Sequence, residues 1–213
     1  MSKSVYSVVL SDDVISEIDR LAYNLNTNRS NMINQILAEY VSYTTPEKRI
    51  KEVFDRIRSV FDGRDVFRLA PPSDTMMSFG SPLAYKYNPT VRYAVELYRD
   101  FSGAVGELRV TLRSQNSTLL LYMMQFYKLW EETERHYIGD CDYSIDGGKL
   151  IRKLNLRLPP EELQSLSAVD LGDIIADYVS AFDSALKSFF YDTDSRMGAA
   201  ERIDAIYRDY LHA

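Results

Sequence analysis

The segment SVYSVVL at residues 4–10 alternates as a strand does, yet the chain supplies no second strand nearby to pair with it. Tyr6, Val8 and Leu10 fall on one side, and Lys3, Val5, Ser7 and Val9 on the other, the period of two that a pleated backbone imposes. A lone strand exposes unpaired backbone donors and acceptors. The simplest mate is a second copy of the same chain, paired antiparallel about a two-fold axis.

Two amphipathic helices are expected next. Ser11 suits an N-cap, and Asp12 and Asp13 put negative charge in the first turn, where the helix dipole favours it. Val14, Ile18, Leu21 and Leu25 recur at helical spacing. Asn26 can take the left-handed conformation that ends a helix, and Asn28 can cap the next one. There Ile33, Ile36, Leu37, Tyr40 and Val41 form a second apolar face. Forty residues cannot cover both faces alone, whereas two interlocked copies can, so the expected dimer core is Tyr6, Val8, Leu10, Ile18, Leu21, Ile33, Ile36 and Leu37.

Strand, helix, Asn-rich turn and helix together resemble the ribbon-helix-helix family of DNA-binding proteins, over about a fifth of the chain. The resemblance implies a two-stranded ribbon lying in the major groove, a geometry the family's repressors share. By position it assigns base reading to Val5, Ser7 and Val9, with Lys3 at the edge. The family usually carries longer polar side chains there; two valines favour contact with thymine methyl groups and imply modest discrimination. It further assigns phosphate binding to Asn28, Arg29 and Ser30 at the start of the second helix, where free backbone N–H groups and the dipole attract an anion. Family members that sense nickel use several His and Cys ligands in a second domain, and this chain has only two histidines and one cysteine.

Charge is unusual for a module that approaches phosphate. Residues 1–44 hold three basic residues (Lys3, Arg20, Arg29) against five acidic ones, residues 45–158 balance at +3, and residues 159–213 at −7. The acidic C-terminal part is expected to point away from DNA, although solvated helix faces account for it equally well.

Two domains are expected: residues 1–44 for DNA binding and dimerisation, and residues 45–213 as a helix-rich α+β domain for assembly, effector or partner binding. The whole is expected to be mainly α with a small α+β part. At 213 residues and 46% hydrophobic, the chain is long enough for that second core. Thr45 as cap and Pro46 at the first position open a connecting helix over 45–62, with Ile50, Val53, Phe54, Ile57, Val60 and Phe61 as its stripe and Gly63 near its end. Its Lys48, Arg49, Lys51, Arg56 and Arg58 read as a solvated face, with proximity to DNA as the alternative. Residues 65–88, with three prolines and Gly80, read as a long irregular stretch. Strands are expected at Val91–Tyr98 (where a helical period also fits), at Leu108–Arg113, and at Lys153–Leu158, which includes Arg157. Helices are expected at 117–138, from Pro159 through Leu186, and at Ala199–Leu211.

Catalysis finds little support. His136 and His212 are the only histidines, and no phosphate loop, nucleophile elbow or metal-ligand spacing is present. Asp140, Cys141, Asp142 and Asp146 follow His136, but with Gly147 and Gly148 they read first as turn chemistry rather than a cation site. The 16 tyrosines suit half-buried sheets and helices, or else pockets and interfaces. No apolar run approaches the roughly 20 residues of a membrane span, no signal pattern opens the chain, and one cysteine excludes an intrachain disulfide framework. The expectation is therefore a cytoplasmic, non-enzymatic, homodimeric (or higher even oligomeric) regulator of the repressor type that binds double-stranded DNA without a cofactor or membrane. A small-molecule or protein effector at residues 45–213 is compatible with it. The alternatives are an accessory protein of plasmid maintenance or conjugative transfer, an antitoxin, and an interaction protein that uses the ribbon only to dimerise.

Overall fold

The computed structural model describes residues 5–41, 43–62, 67–100, 103–156, 158–191 and 196–212. The chain divides into two compact units, residues 1–49 and 50–213.

In the first unit, residues 5–10 form neither helix nor strand, and no backbone hydrogen bond joins them to another described residue. Strand geometry is fixed by a partner, and none pairs with this segment among the described residues. Helix α1 (Asp12–Asn24) then begins after Ser11, whose side chain, contrary to expectation, makes no capping bond. The stop follows the expected chemistry. Asn26 sits at φ 51°, Thr27 N–H donates to the Ala22 carbonyl at 2.9 Å and Asn26 N–H to that of Tyr23 at 3.1 Å, the Schellman arrangement. Helix α2 (Arg29–Tyr40) is capped by the Asn28 side chain, which accepts from Asn31 N–H at 2.9 Å. Ile18, Ala22 and Met32 bury where α1 meets α2, with Ile33 packed against them.

The second unit is mostly helical around one antiparallel sheet. Helix α3 (Pro46–Phe61) starts across the division, with the Thr45 hydroxyl accepting from Lys48 N–H at 3.2 Å, and buries Ile50, Val53, Phe54, Ile57 and Phe61. Strands β1 (Arg68–Leu69), β2 (Met76–Pro82), β3 (Thr90–Leu97) and β4 (Gly106–Thr111) follow, then helix α4 (Ser117–Ile138), the hairpin β5 (Tyr143–Asp146) and β6 (Lys149–Leu154), and helices α5 (Pro160–Ser165), α6 (Ala168–Tyr191) and α7 (Arg196–Leu211). The sheet order is β1-β2-β3-β4-β6-β5. After the α4 excursion the chain therefore returns with β6 beside β4, in register Arg109 opposite Ile151 and Val110 opposite Leu150.

One core joins a single sheet face to α3, α4, α6 and α7. Met77, Phe79, Val91, Tyr93, Val95, Leu108, Val110, Leu150 and Leu154 point into it, as the alternation of each strand requires. From the helices come Phe126, Trp130, Phe182 and Tyr207; Phe182 meets Phe126 and Trp130 edge-on, with centroids 5.0 Å apart for Trp130 and Phe182, and Tyr207 meets Trp130 likewise. Gly172 permits the close approach of α6 to α3, because a Cβ there would lie 2.7 Å from that of Arg56.

The sheet is larger than expected, six strands rather than three. Residues 65–88 are not one irregular stretch: β1 and β2 lie within it, and Asp65 is outside the described residues. Strand β2 reads MMSFGSP, with Ser, Gly and Pro among its residues and a polar inward Ser81, and pairing with β3 and β1 makes it a strand. Of the residues read as turn chemistry, Asp140, Cys141 and Asp142 stay irregular but Asp146 ends β5, and Gly147 at φ 54° with Gly148 closes its two-residue hairpin to β6. The third expected strand lies earlier in the chain, ending at Leu154 rather than Leu158, because Arg152 takes an inward position that apolar alternation alone assigns to a leucine. Gly63 and Arg157 lie outside the described residues. The Val91–Tyr98 ambiguity resolves as strand β3, paired on both sides, and the 117–138 helix is α4, bounded by an Asn116 cap and by Gly139 at φ 73°.

Candidate nucleic-acid interface

The residues assigned to base reading occupy the irregular N-terminal segment. Val5 and Val9 are 99% and 100% exposed and Ser7 is exposed; Lys3 is outside the described residues. Of the expected dimer core, Ile18 is buried and Ile33 partly buried within the single chain. Tyr6, Val8, Leu10, Leu21, Ile36 and Leu37 all stand exposed, Leu37 at 56%. Val14, Leu25, Tyr40 and Val41 add to this uncovered apolar surface.

The turn between the helices brings Asn28, Arg29 and Ser30 together at the start of α2. The Asn28 side chain satisfies Asn31 N–H, and its carbonyl accepts from Met32 N–H. Among the described residues the N–H groups of Arg29 and Ser30 have no protein acceptor, as expected of the first turn of a helix. Arg29 itself is engaged. Its Nε and Nη2 donate to the two carboxylate oxygens of Asp19 on α1, at 2.7 and 2.5 Å. This fork-on-carboxylate contact lowers the Asp19 pKa through the hydrogen bond first and the nearby charge second. Arg20 is likewise held by Glu17 at 2.6 Å, and Lys48 lies 3.9 Å from Glu39.

The second unit carries three polar networks that the sequence reading did not pick out. Glu134 on α4 and Arg152 on β6, both buried, share two hydrogen bonds at 3.1 and 3.2 Å; Tyr207 O–H donates to Glu134, and Arg152 lies 4.6 Å from the centre of the Tyr178 ring. Burial pushes the Glu134 carboxyl up, opposed by the Arg152 charge. Buried Asp183 on α6 accepts from Tyr93 O–H at 2.8 Å and from Ser81 O–H at 3.2 Å, with Lys187 Nζ at 2.7 Å. Asp183 follows Val179 by four residues on an apolar stripe, which was the available signal. On the opposite sheet face, Glu107 accepts from Lys153, Arg109 and Tyr98. These bonds outweigh the upward effect of burial and hold its carboxyl at about 2. Lys153 also donates to Tyr98.

None of these networks presents an unsatisfied reactive group to solvent. A shallow cavity of about 430 Å³ opens beside Tyr98, Asp142, Lys153 and Asn155, but Lys153 there is already neutralised by Glu107, so its charge selects no ligand class. Among the described residues no cluster of three His, Cys, Asp or Glu side chains can hold a metal, and Asp140 pairs with Arg135 at 3.0 Å. The connecting-helix cations are also partly committed, since Arg56 forms a two-point contact with Asp173 of α6. Among the described residues no helix is long and apolar enough to cross a membrane. Comparisons with protein-family models, curated proteins and solved structures find no match to this chain.

Proposed function

We propose that the chain is a homodimeric DNA-binding regulator of the repressor type, in which residues 5–10 of two copies pair as a ribbon that enters the major groove. The observation that carries this reading is the conjunction, within one short unit, of an unpaired strand-patterned segment and an uncovered apolar surface on the two helices after it. A monomeric protein seldom leaves so many large apolar side chains of one short unit in water. A second copy covers them and supplies the missing strand in one step. Asn28, Arg29 and Ser30 at the start of α2 then provide phosphate contacts, and residues 50–213 serve assembly or effector binding.

Sedimentation of the full chain should give an even number of copies, and Leu37→Asp should return it to single chains. Selection from a random duplex library at low salt should recover bound DNA. Arg29→Ala should weaken binding to every sequence, whereas Ser7→Ala should change sequence preference. A chain that stays single, or a dimer that retains no duplex at low salt, overturns the reading.

A second reading is favoured by the Arg29–Asp19 contact and by the net negative charge of the first unit. In it the module only dimerises, and Val5 and Val9 are strand formers with no bases to touch. A stable dimer indifferent to DNA selects it.

A further inference from the structure

We propose that Asp19 is an internal competitor for the DNA phosphate at Arg29, so that the module grips nucleic acid only by exchanging one anion for another. This rests on the DNA-binding reading above and concerns the residue that tunes it. The contact is built for exchange. Asp19 presents two oxygens to the Nε and Nη2 edge of the guanidinium, and a phosphate offers the same pair of acceptors to the same edge. While the carboxylate keeps its place, the two-donor edge of Arg29 cannot take a phosphate, which is left with the outer guanidinium N–H groups alone.

The contact is also open to exchange. The two side chains are 53% and 45% exposed, and ion pairs in water contribute little, so an incoming phosphate does not face a desolvated, locked pair. The phosphate gains in addition the Arg29 and Ser30 N–H groups, which have no protein acceptor among the described residues. Arg20 is also paired, with both its donors on one Glu17 oxygen, and Lys48 lies 3.9 Å from Glu39. Across this unit the described pairs keep cationic charge in check, which suppresses adhesion to DNA by charge alone.

The test uses the full 213-residue chain and a labelled pool of random-sequence duplexes, with binding measured across a salt series. Asp19→Asn should tighten binding about tenfold per chain, roughly what one charge-assisted hydrogen bond supplies. The slope of log K against log salt should steepen by about 0.9 for each arginine released. Both gains should disappear in the Asp19→Asn, Arg29→Ala double variant. They should also exceed those of Glu17→Gln, which removes an equal charge from the same helix, and thermal unfolding of each variant checks that the fold is kept. If wild type binds DNA but the gain matches that of Glu17→Gln, or survives without Arg29, the competitor role is wrong and the DNA reading stands. If neither wild type nor any variant retains a duplex at low salt, the DNA reading fails and this inference with it.

Discussion

Residues 50–212 bury Phe126, Trp130, Phe182 and Tyr207 in one core closed by a sheet and helices, whereas residues 5–41 leave Val9 fully exposed and Leu37 more than half exposed. Both regions use leucine, isoleucine, valine and tyrosine at helical or strand spacing. What separates them is the number of layers each can bring to bear. A six-stranded sheet with helices packed on one face encloses an interior, while two short helices and an unpaired segment bury little beyond Ile18, Ala22, Met32 and Ala38. The polar groups differ in the same sense. Glu134 and Arg152 are locked inside, each satisfied by the other and by tyrosines, but Arg29 and Asp19 meet at the surface, where the contact can be traded.

The sharpest way to break this comparison is to open the closed core. Phe182→Ala removes a ring packed against Phe126, Trp130 and Tyr93, and should cost about 3–5 kcal/mol of stability. Chemical denaturation measures the loss, and hydrogen exchange locates it. Amides of α4 and α6 should lose protection while those of α1 and α2 keep theirs. Equal loss in both regions shows that the two units are one cooperative body, and the contrast drawn above dissolves.

A smaller effect sharpens the comparison from the other side. Asn28→Ala deletes the cap of α2 and should cost about 1 kcal/mol. Because the first unit has so little interior of its own, its amides should show that loss directly, and the loss should shrink as protein concentration rises if a second copy covers the module. An effect independent of concentration counts against coverage by a second copy.

The smallest effect is electrostatic. Glu107 is held at about 2, below its ordinary value of 4.5, so its contacts with Lys153, Arg109 and Tyr98 stabilise the fold fully above pH 4.5 and are lost as the pH falls toward 2. The denaturation midpoint of Glu107→Gln should lie below that of wild type at neutral pH and approach it between pH 4.5 and 2. A gap that stays constant through that window removes Glu107 as the cause. Nothing in residues 5–41 should contribute to this window to the same degree, since the Asp19 contact is open to solvent.

Much of the helical framework is legible in the chain because capping and periodicity are local. Thr45 and Pro46 start α3, Asn116 and Gly139 bound α4, and Asn26 and Asn28 separate α1 from α2, each through contacts a few residues apart. The sheet is far less legible. β2 contains Ser, Gly and Pro, and β6 turns Arg152 inward, so neither reads as a clean alternation; each is a strand because neighbours distant in sequence pair with it. The candidate interface divides along the same line. Asn28, Arg29 and Ser30 can be named from the turn they occupy, but Asp19 as the group that holds Arg29 depends on how α1 and α2 fold back on each other.

The sequence by itself determined where α1 to α4 begin and end, which segment finds no strand partner among the described residues, and which short unit cannot cover its own apolar faces, since all three depend on side-chain chemistry within a few turns of chain. It did not divide the expected Pro159–Leu186 helix into α5 and α6 or place the start of α7 at Arg196 rather than Ala199. Only the tertiary structure decided the order β1-β2-β3-β4-β6-β5, the burial of Glu134 with Arg152 and of Asp183 with Tyr93, and the commitment of Arg29 to Asp19. Those features join residues from 10 to 90 positions apart, and the energy of such a contact depends on whether water is excluded from it, which no local pattern records.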